Sequence, residues 1–456
     1  MSISGLEREP LARGVVEFFG GPRGVHARGP VPVLRWVLSV GWVFLGFAFL
    51  AKANCSGGRR LEDGSIGLNW AGSRQYTSFC YNDIVPLYGA RGLDQPGFVY
   101  AYSWVEDGTT RYMEYPVLTG LFQGLMGWIA RSTYGAVEWL GVPEAGWYFT
   151  LTALAMSLMW VATLFMLSQL LGTRQWDGLV VAASPLVVMH GFTNWDIPSI
   201  MLAVAALVAV SHGHSVTGGV CIGLGAALKL WPVFLLGAFF VLAARNRRWK
   251  QFGALVAGAG ASWAIVNAPL AWAYPEAWGE FFRLNSTRSW EWTTIYAVAG
   301  REFGFSASPE AINIFSLVSF ALACAAIALF GLRVQRTPRV AELVYLILVA
   351  FLMLNKVWSP QYSLWLLVPA VLALPHWRLL FSWAVADALL WPILMWHMHG
   401  VDNKGVPGGL LDIAVLTRDG FILAIALLII MQMLGKLPDK VLAANGYDIL
   451  AGDFRK

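Results

Sequence analysis

Twelve apolar runs divide this chain and leave little room for a soluble fold. They lie near residues 33–51, 148–171, 178–191, 197–212, 216–229, 231–244, 251–271, 311–332, 338–355, 361–375, 378–396 and 412–435. A helix crossing a bilayer needs roughly 20 predominantly apolar residues. Several of these runs are nearer about fourteen, a length that suits broken or tightly packed helices around a cavity. Composition agrees: 57% of the 456 residues are hydrophobic and 13% charged, against about 25% charged in soluble domains. The 23 Trp and 26 Phe fit aromatic belts at the headgroup level. The expected class is an all-α polytopic membrane protein of about 12 transmembrane helices, with the lipid bilayer as its first partner.

Basic residues set the expected orientation, because loops left on the cytoplasmic side collect Lys and Arg. Such loops carry Arg174; Arg245, Arg247, Arg248 and Lys250; Arg333, Arg336 and Arg339; and Arg378. The tail, 436–456, adds Lys436 and Lys440, and residues 1–32 form a short, mobile arm with Arg8, Arg13, Arg23 and Arg28. Both termini are therefore expected in the cytoplasm, flanking a transmembrane domain at 33–435. The first apolar run follows an Arg-rich lead and is long enough to anchor, so no cleavable signal peptide is evident. The net charge of +5 is spread over short loops rather than gathered in a patch, which argues against nucleic acid as a partner.

The polar exception is the first outer loop, 53–114. It contains Cys80-Tyr81-Asn82-Asp83 and closes on Tyr112-Met113-Glu114-Tyr115-Pro116. Residues 115–131 after it are apolar but short, with Gly120, Gly124 and Gly127, and are expected to lie in the interface. A second outer loop, 272–310, interleaves Trp272, Tyr274, Trp290, Trp292 and Tyr296 with Arg283, Arg288 and Arg301. Those tryptophans suit sugar stacking or an interfacial belt, with the belt favoured. A third, 397–411, holds His397, His399, Asp402 and Lys404. Cys55 and Cys80 bracket part of the first loop on the side expected to be oxidising, so a disulfide is expected there. By loop entropy such a closure contributes about 3 kcal/mol. Cys221 and Cys324 read as buried thiols, His212 and His214 as turn residues, and no Cys/His spacing fits zinc.

Polar residues at span boundaries carry the chemistry. Asp83 either caps a short helix or serves as a general base, which needs a fixed carboxylate beside the hydroxyl it deprotonates. Glu114 stands open as helper, metal ligand or helix-start residue. Asn194-Trp195-Asp196 punctuates two apolar runs, and ionisable groups at that depth are costly unless used; capping by Asp196 is the alternative. Lys229, in Leu228-Lys229-Leu230-Trp231-Pro232, either snorkels or meets a lipid phosphate. Lys356 repeats the pattern of lysine, aromatic and proline in Lys356-Val357-Trp358-Ser359-Pro360-Gln361-Tyr362. Two such corners on one face suit a phosphate leaving group.

Taken in order, Asp83 with Tyr88, Glu114-Tyr115-Pro116, Asn194-Trp195-Asp196, Lys229-Leu230-Trp231-Pro232 and Trp358-Ser359-Pro360-Gln361-Tyr362 resemble the GT-C glycosyltransferases. The likeness is to glycosyltransferase family 87 of actinobacteria in particular. It covers nearly the whole chain apart from the N-terminal arm and the last residues. Each motif is short, and their order is the specific part. Similar members include mycobacterial mannosyltransferases that use polyprenyl-phosphate-mannose, where an aspartate of the first outer loop is the base; Asp83 stands at that place.

The resemblance implies a GT-C-like bundle in the plasma membrane, active on the extracytoplasmic face in cell-envelope biosynthesis. A sugar, mannose or another hexose or pentose, would pass from a polyprenyl-phosphate donor to a glycolipid or glycan acceptor. Asp83 would deprotonate the acceptor, and a single displacement would invert the anomeric carbon. Lys229, Lys356 and Arg288 or Arg301 would stabilise the departing phosphate, while Tyr88, Asn194, Asp196, Trp358 and Gln361 would line the cavity. No cofactor or metal is expected. The Cys55…Cys80 pair and the Tyr-Asn-Asp context mark a subgroup, so sugar and acceptor do not carry over. The rival reading is a flippase or transporter of lipid-linked sugars, against which stand the missing repeat between halves and the elaborate first loop. A non-enzymatic scaffold leaves Lys229 and Lys356 unexplained.

Overall fold

The computed structural model describes residues 9–18, 33–62, 64 and 66–455. Arg8, Arg23 and Arg28 of the expected arm lie outside the described residues. Strand is confined, among the described residues, to two small antiparallel hairpins in the first outer loop: Gly58–Arg60 with Ile66–Leu68, and Trp104–Glu106 with Thr109–Arg111. Everything else regular is helical.

Among the described residues, six helices are long and apolar enough to cross a membrane: Val33–Ser56, Glu144–Ala182, Trp249–Ala273, Pro309–Arg333, Trp377–His399 and Gly408–Met433. Five of the other expected spans are shorter helices, namely Ile197–Ser211, Ser215–Leu228, Trp231–Asn246, Val340–Leu354 and Pro360–Ala373. The sixth, 178–191, is split at Ser184-Pro185 into Gly178–Ala182, which continues the second long helix, and Pro185–His190. Length alone therefore accounts for six of the twelve expected crossings. The two groups differ in what solvates them. Pro309–Arg333 turns Ile314, Phe315, Leu317 and Leu322 outward, whereas Ser363–Ala373 is buried along its whole length. Pro309–Arg333 thus presents its surface outward, and Ser363–Ala373 is shielded by protein. Shielding is what lets a helix stop at membrane depth, because exposed backbone ends are tolerated only against protein or a watered cavity.

Close packing sets where those stops occur. Gly219 and Gly223 on Ser215–Leu228 face Gly258 and its neighbours on Trp249–Ala273, and a Cβ at Gly219 would strike the Leu255 carbonyl. Small residues of this kind let helix backbones approach in a bilayer. The clamped helix ends at Leu228, Lys229 adopts extended backbone, and Pro232 begins the next turn. Thr119 donates to the Leu228 carbonyl at 2.6 Å, which satisfies one of the acceptors the helix end leaves open. A second stop follows Leu354, where Asn355 is extended and Pro360 starts a new turn.

Loops expected on one side do meet on one face. Arg245 donates to the Gly331 carbonyl, Arg339 pairs with Asp439 at 2.8 Å, and Trp377 donates to Asp177 at 2.7 Å. The tail packs there too, with Phe454 buried against Phe239 and its carbonyl taken by Asn246. Part of the N-terminal arm packs on this face as well. Pro10–Phe18 is a helix whose Ala12 and Val16 are buried, and Glu9 reaches Arg378 and Lys440. The polar stops at Asn194, Lys229 and Asn355 lie on the other face with the first outer loop.

The expected disulfide joins Cys55 to Cys80, with Cα atoms 5.5 Å apart. Cys221 and Cys324 are free but only partly buried, unlike the buried thiols expected. Cys324 sits on Pro309–Arg333, whose surface is mostly turned outward. Both ends of Val117–Thr133 touch the first outer loop: Tyr100 donates to the Tyr115 carbonyl at one end, and Arg131 to the Leu93 carbonyl at the other.

Candidate active site

Backbone bonds and side chains from three elements fix the segment that carries Asp83. The disulfide ties Cys80 to the end of the first long helix. Trp391 donates to the Phe79 carbonyl at 2.7 Å, and Lys52 to the Tyr81 carbonyl at 3.0 Å. The Asp83 N–H donates to the Thr193 carbonyl at 2.8 Å. The short helix Ile84–Ala90 follows, and its cap comes from Asn82, whose side-chain oxygen accepts from the Val85 N–H at 2.9 Å. Asp83 makes no capping bond. Its carboxylate instead accepts from the Tyr81 hydroxyl at 3.0 Å and from Asn194 Nδ2 at 2.6 Å. The capping alternative for Asp83 is thereby replaced by a carboxylate held at a cavity wall.

Asn194 is the hub. Its amide nitrogen donates to Asp83 and to the Tyr115 hydroxyl at 3.0 Å, while its oxygen accepts from Lys229 Nζ at 3.1 Å. The carboxylate and the ammonium thus demand opposite ends of one amide, a demand that Asp or Leu cannot meet. Lys229 also lies 3.6 Å from Asp196 and sits over the Tyr115 and Tyr362 rings. Asp83, Glu114, Asn194, Lys229, Arg288, Glu291, Trp292 and Gln361 line one cavity of about 420 Å³ with Tyr81, Tyr115 and Tyr362. That volume suits a small-molecule site.

Burial raises the Asp83 carboxyl above its ordinary value, opposed by the hydrogen bonds from Asn194 and Tyr81 and by the charges of Lys229 and Lys52. A carboxyl held above its ordinary value moves toward the range in which a general base works best. Tyr81 is pushed upward by the Asp83 charge and by burial, so it stays a neutral donor. Removing that donor withdraws support from the ionised carboxylate. Tyr81→Phe is therefore expected to move the acidic limb of the pH–rate profile of kcat/KM toward higher pH. A limb that stays put or moves down would show that Asp83 does not govern it.

The other expected site residues divide. Glu114 lines the cavity, but both its oxygens take the Arg91 Nε–H, at 2.9 and 2.8 Å, and Arg91 stacks on Trp104. Burial pushes its carboxyl up against that pairing. Arg288 and Gln361 line the cavity. Arg301 does not; it pairs with Asp412. Lys356 lies behind the wall, donating to the Arg288 carbonyl at 2.5 Å. Tyr88 turns inward to stack on Tyr148, because its helix buries Ile84, Val85 and Tyr88 and leaves Leu87 to the cavity. Asp196 supports Lys229 from below while accepting from Trp365 at 2.9 Å, and makes no cap. Trp358 is buried under the Arg418 guanidinium. Trp292 is at the rim, half exposed; Trp290 packs on Phe305.

Four contributors escaped sequence reading: Lys52, Tyr81, Glu291 and Trp391. Lys52 looks like a snorkelling residue at the end of a span, and its one signal is its place three residues before Cys55. Among the described residues no cluster of His, Cys, Asp or Glu is placed to hold a metal ion.

No curated protein matches the sequence. Among solved structures, the crystal structure of ArnT from Cupriavidus metallidurans bound to undecaprenyl phosphate is similar over 88% of this chain and 78% of that one. Its sequence identity is 15% and its TM-score 0.41, too distant to bear on the site. The sequence itself is more telling. The model of glycosyltransferase family 87 matches residues 115–360, a stretch that begins at Tyr115 and takes in Asn194, Lys229, Arg288 and Pro360. That match spans more than half of the chain, and this multi-pass membrane protein belongs to glycosyltransferase family 87.

Proposed function

We propose that the protein transfers a sugar from a polyprenyl-phosphate donor to an extracytoplasmic glycolipid or glycan, with inversion and with Asp83 as general base. The observation that carries this is the Asp83–Asn194–Lys229 relay at the cavity wall. It places a proton acceptor and a cation on one amide, so that base and leaving-group stabiliser are fixed relative to each other. The acceptor hydroxyl gives its proton to Asp83 as its oxygen attacks the anomeric carbon. The anomeric carbon–oxygen bond to phosphate breaks, and its electron pair stays on the phosphate, facing Lys229 and Arg288. Preorganised cations at developing charge are a strong catalytic device in a water-poor site.

Mannose, or another hexose or pentose, is the proposed sugar. A polyprenyl donor fits a cavity that adjoins an apolar groove lined by Leu230, Trp263, Trp278 and Phe282 and sharing Tyr115, Pro116 and Phe281 with it. The disulfide supports an oxidising, extracytoplasmic location for the site. With the loop charges, it also supports cytoplasmic termini and a plasma-membrane setting. The outer-loop contacts at both ends of Val117–Thr133 support its interfacial reading.

The test uses purified protein in nanodiscs with synthetic short-chain polyprenyl-phosphate-mannose and labelled glycolipid acceptors. Transfer with inversion is expected, and none from a nucleotide sugar. Transfer from the nucleotide sugar alone would overturn the donor class.

A further inference from the structure

Two cations line the cavity, and the fold treats them differently. Lys229 has a neutral amide oxygen as its nearest acceptor, at 3.1 Å, with Asp196 at 3.6 Å. Arg288 instead forms an ion pair with Glu291, three residues on, and both members line the cavity. Neither is sealed in: 31% of the Arg288 side chain and 23% of the Glu291 side chain are exposed.

The loop does not need this pair for its shape. The Glu291 N–H donates to the Lys356 carbonyl at 2.9 Å, and Lys356 Nζ donates to the Arg288 carbonyl at 2.5 Å. The Thr293 hydroxyl donates to the Trp358 carbonyl, and Arg418 donates to the Thr293 carbonyl at 2.6 Å. These bonds lace residues 288–293 to residues 356–358 and to Arg418 without using the Glu291 carboxylate. That carboxylate is therefore free to leave Arg288 while the wall stays in place.

We propose that Glu291 is a built-in stand-in for the lipid phosphate. It holds the Arg288 guanidinium toward the cavity before donor binds, gives it up to the donor's phosphate, and reclaims it as product leaves. The inference rests on the phosphate-linked donor proposed above. Charge sets what the carboxylate has to offset. The donor is a phosphodiester with one negative charge, whereas the lipid phosphate left after transfer is a monoester carrying about −1.5 to −2 at pH 7, so the lining cations hold product more strongly than donor. A carboxylate three residues from Arg288 gives the guanidinium an anionic partner to return to and so opposes that retention. A planar guanidinium that binds carboxylate and phosphate in the same fork is suited to such an exchange.

The experiment measures binding of a short-chain polyprenyl phosphate to the wild-type protein, Glu291→Gln, Arg288→Met and the double variant, in nanodiscs. Glu291→Gln is expected to bind about three- to fivefold tighter, the upper range for losing one partly exposed competing ion pair. It should also show stronger product inhibition during multiple turnover. In the Arg288→Met background the same change should have less than about a twofold effect, the sign of coupling through Arg288. Glu291→Ala should tighten binding as well, and unchanged thermal unfolding would exclude a folding artefact. No tightening in either Glu291 variant overturns the proposal. So does equal tightening in the Arg288→Met background, which would indicate a general field. Wild-type protein that binds no lipid phosphate would sink the donor reading itself. Binding by wild type without a Glu291 effect would sink only the stand-in.

Discussion

Asp83→Asn is expected to lower sugar transfer by about a thousandfold while donor binding survives. Positioned general bases contribute roughly 10²- to 10⁴-fold, and Asp83 is positioned with unusual redundancy. The disulfide, Lys52, Trp391 and the Thr193 carbonyl each fix a different atom of the 79–83 segment. None of those contacts involves the carboxylate, so the segment should keep its place in the variant. The carboxamide cannot take the acceptor's proton, and it also presents an N–H₂ where Tyr81 or Asn194 now donates. Some rearrangement of Asn194 is the cost, which is why donor affinity should be measured beside the rate. Asp83→Glu restores a carboxylate one methylene away and should recover only part of the rate, because reacting groups lose effectiveness over displacements of about 1 Å. Transfer within tenfold of wild type in Asp83→Asn would remove it from the role. Glu114 would then have to act while paired with Arg91, and Arg91→Gln should raise or abolish the remaining rate.

What could be read from the sequence was the backbone's breaking points. Leu-Lys-Leu-Trp-Pro and Trp-Ser-Pro-Gln-Tyr interrupt apolar runs, and an interruption at that depth must face a cavity or protein. That logic pointed to Asn194, Lys229 and Gln361, and all three line the cavity. It could not tell which side of a short turn faces inward. Trp358 and Gln361 belong to one motif, yet one is buried under Arg418 and the other lines the cavity. The same limit separates Arg288 from Arg301, two arginines of one aromatic-rich loop. Asp412, remote in sequence, claims Arg301, and no local pattern announces that partner. Lys52 was invisible for a related reason. A lysine at a span end ordinarily reaches for water, and only the fold of the disulfide-closed loop brings the Tyr81 carbonyl and the Trp391 ring over it.

The apolar groove beside the cavity was equally hidden, since it joins helices Val117–Thr133, Ser215–Leu228, Trp249–Ala273 and Pro275–Thr287. Its placement makes sense of Lys229. Ala226, Ala227 and Leu230 line the groove, while Lys229 lines the cavity. The break at the single extended residue Lys229 therefore divides an apolar compartment from a polar one, as the proposed donor, a phosphate joined to a hydrocarbon chain, requires.

Lys229→Met should consequently be the second most damaging change, with kcat/KM for donor reduced about a hundredfold, the scale of losing one preorganised group at developing charge. Two effects contribute, and pH separates them. Lys229 helps hold the Asp83 carboxyl down against burial, so its loss raises that carboxyl further and leaves less base ionised at a given pH. The sign is definite: a group that must be ionised is recovered by raising pH. The phosphate's lost partner is not recovered that way, because the phosphodiester is already ionised. If Lys229 serves the leaving group, the deficit will shrink on going to alkaline pH and then level off well below wild type. If the lysine acts only through Asp83, the rate at high pH will return to the wild-type value, and its assignment to the phosphate fails. Asn194→Leu provides the internal comparison, since it removes the bond to Asp83 and the bond to Lys229 together. Its loss should approach that of the more damaging single change rather than their product, because one amide orients both groups and their contributions are not independent.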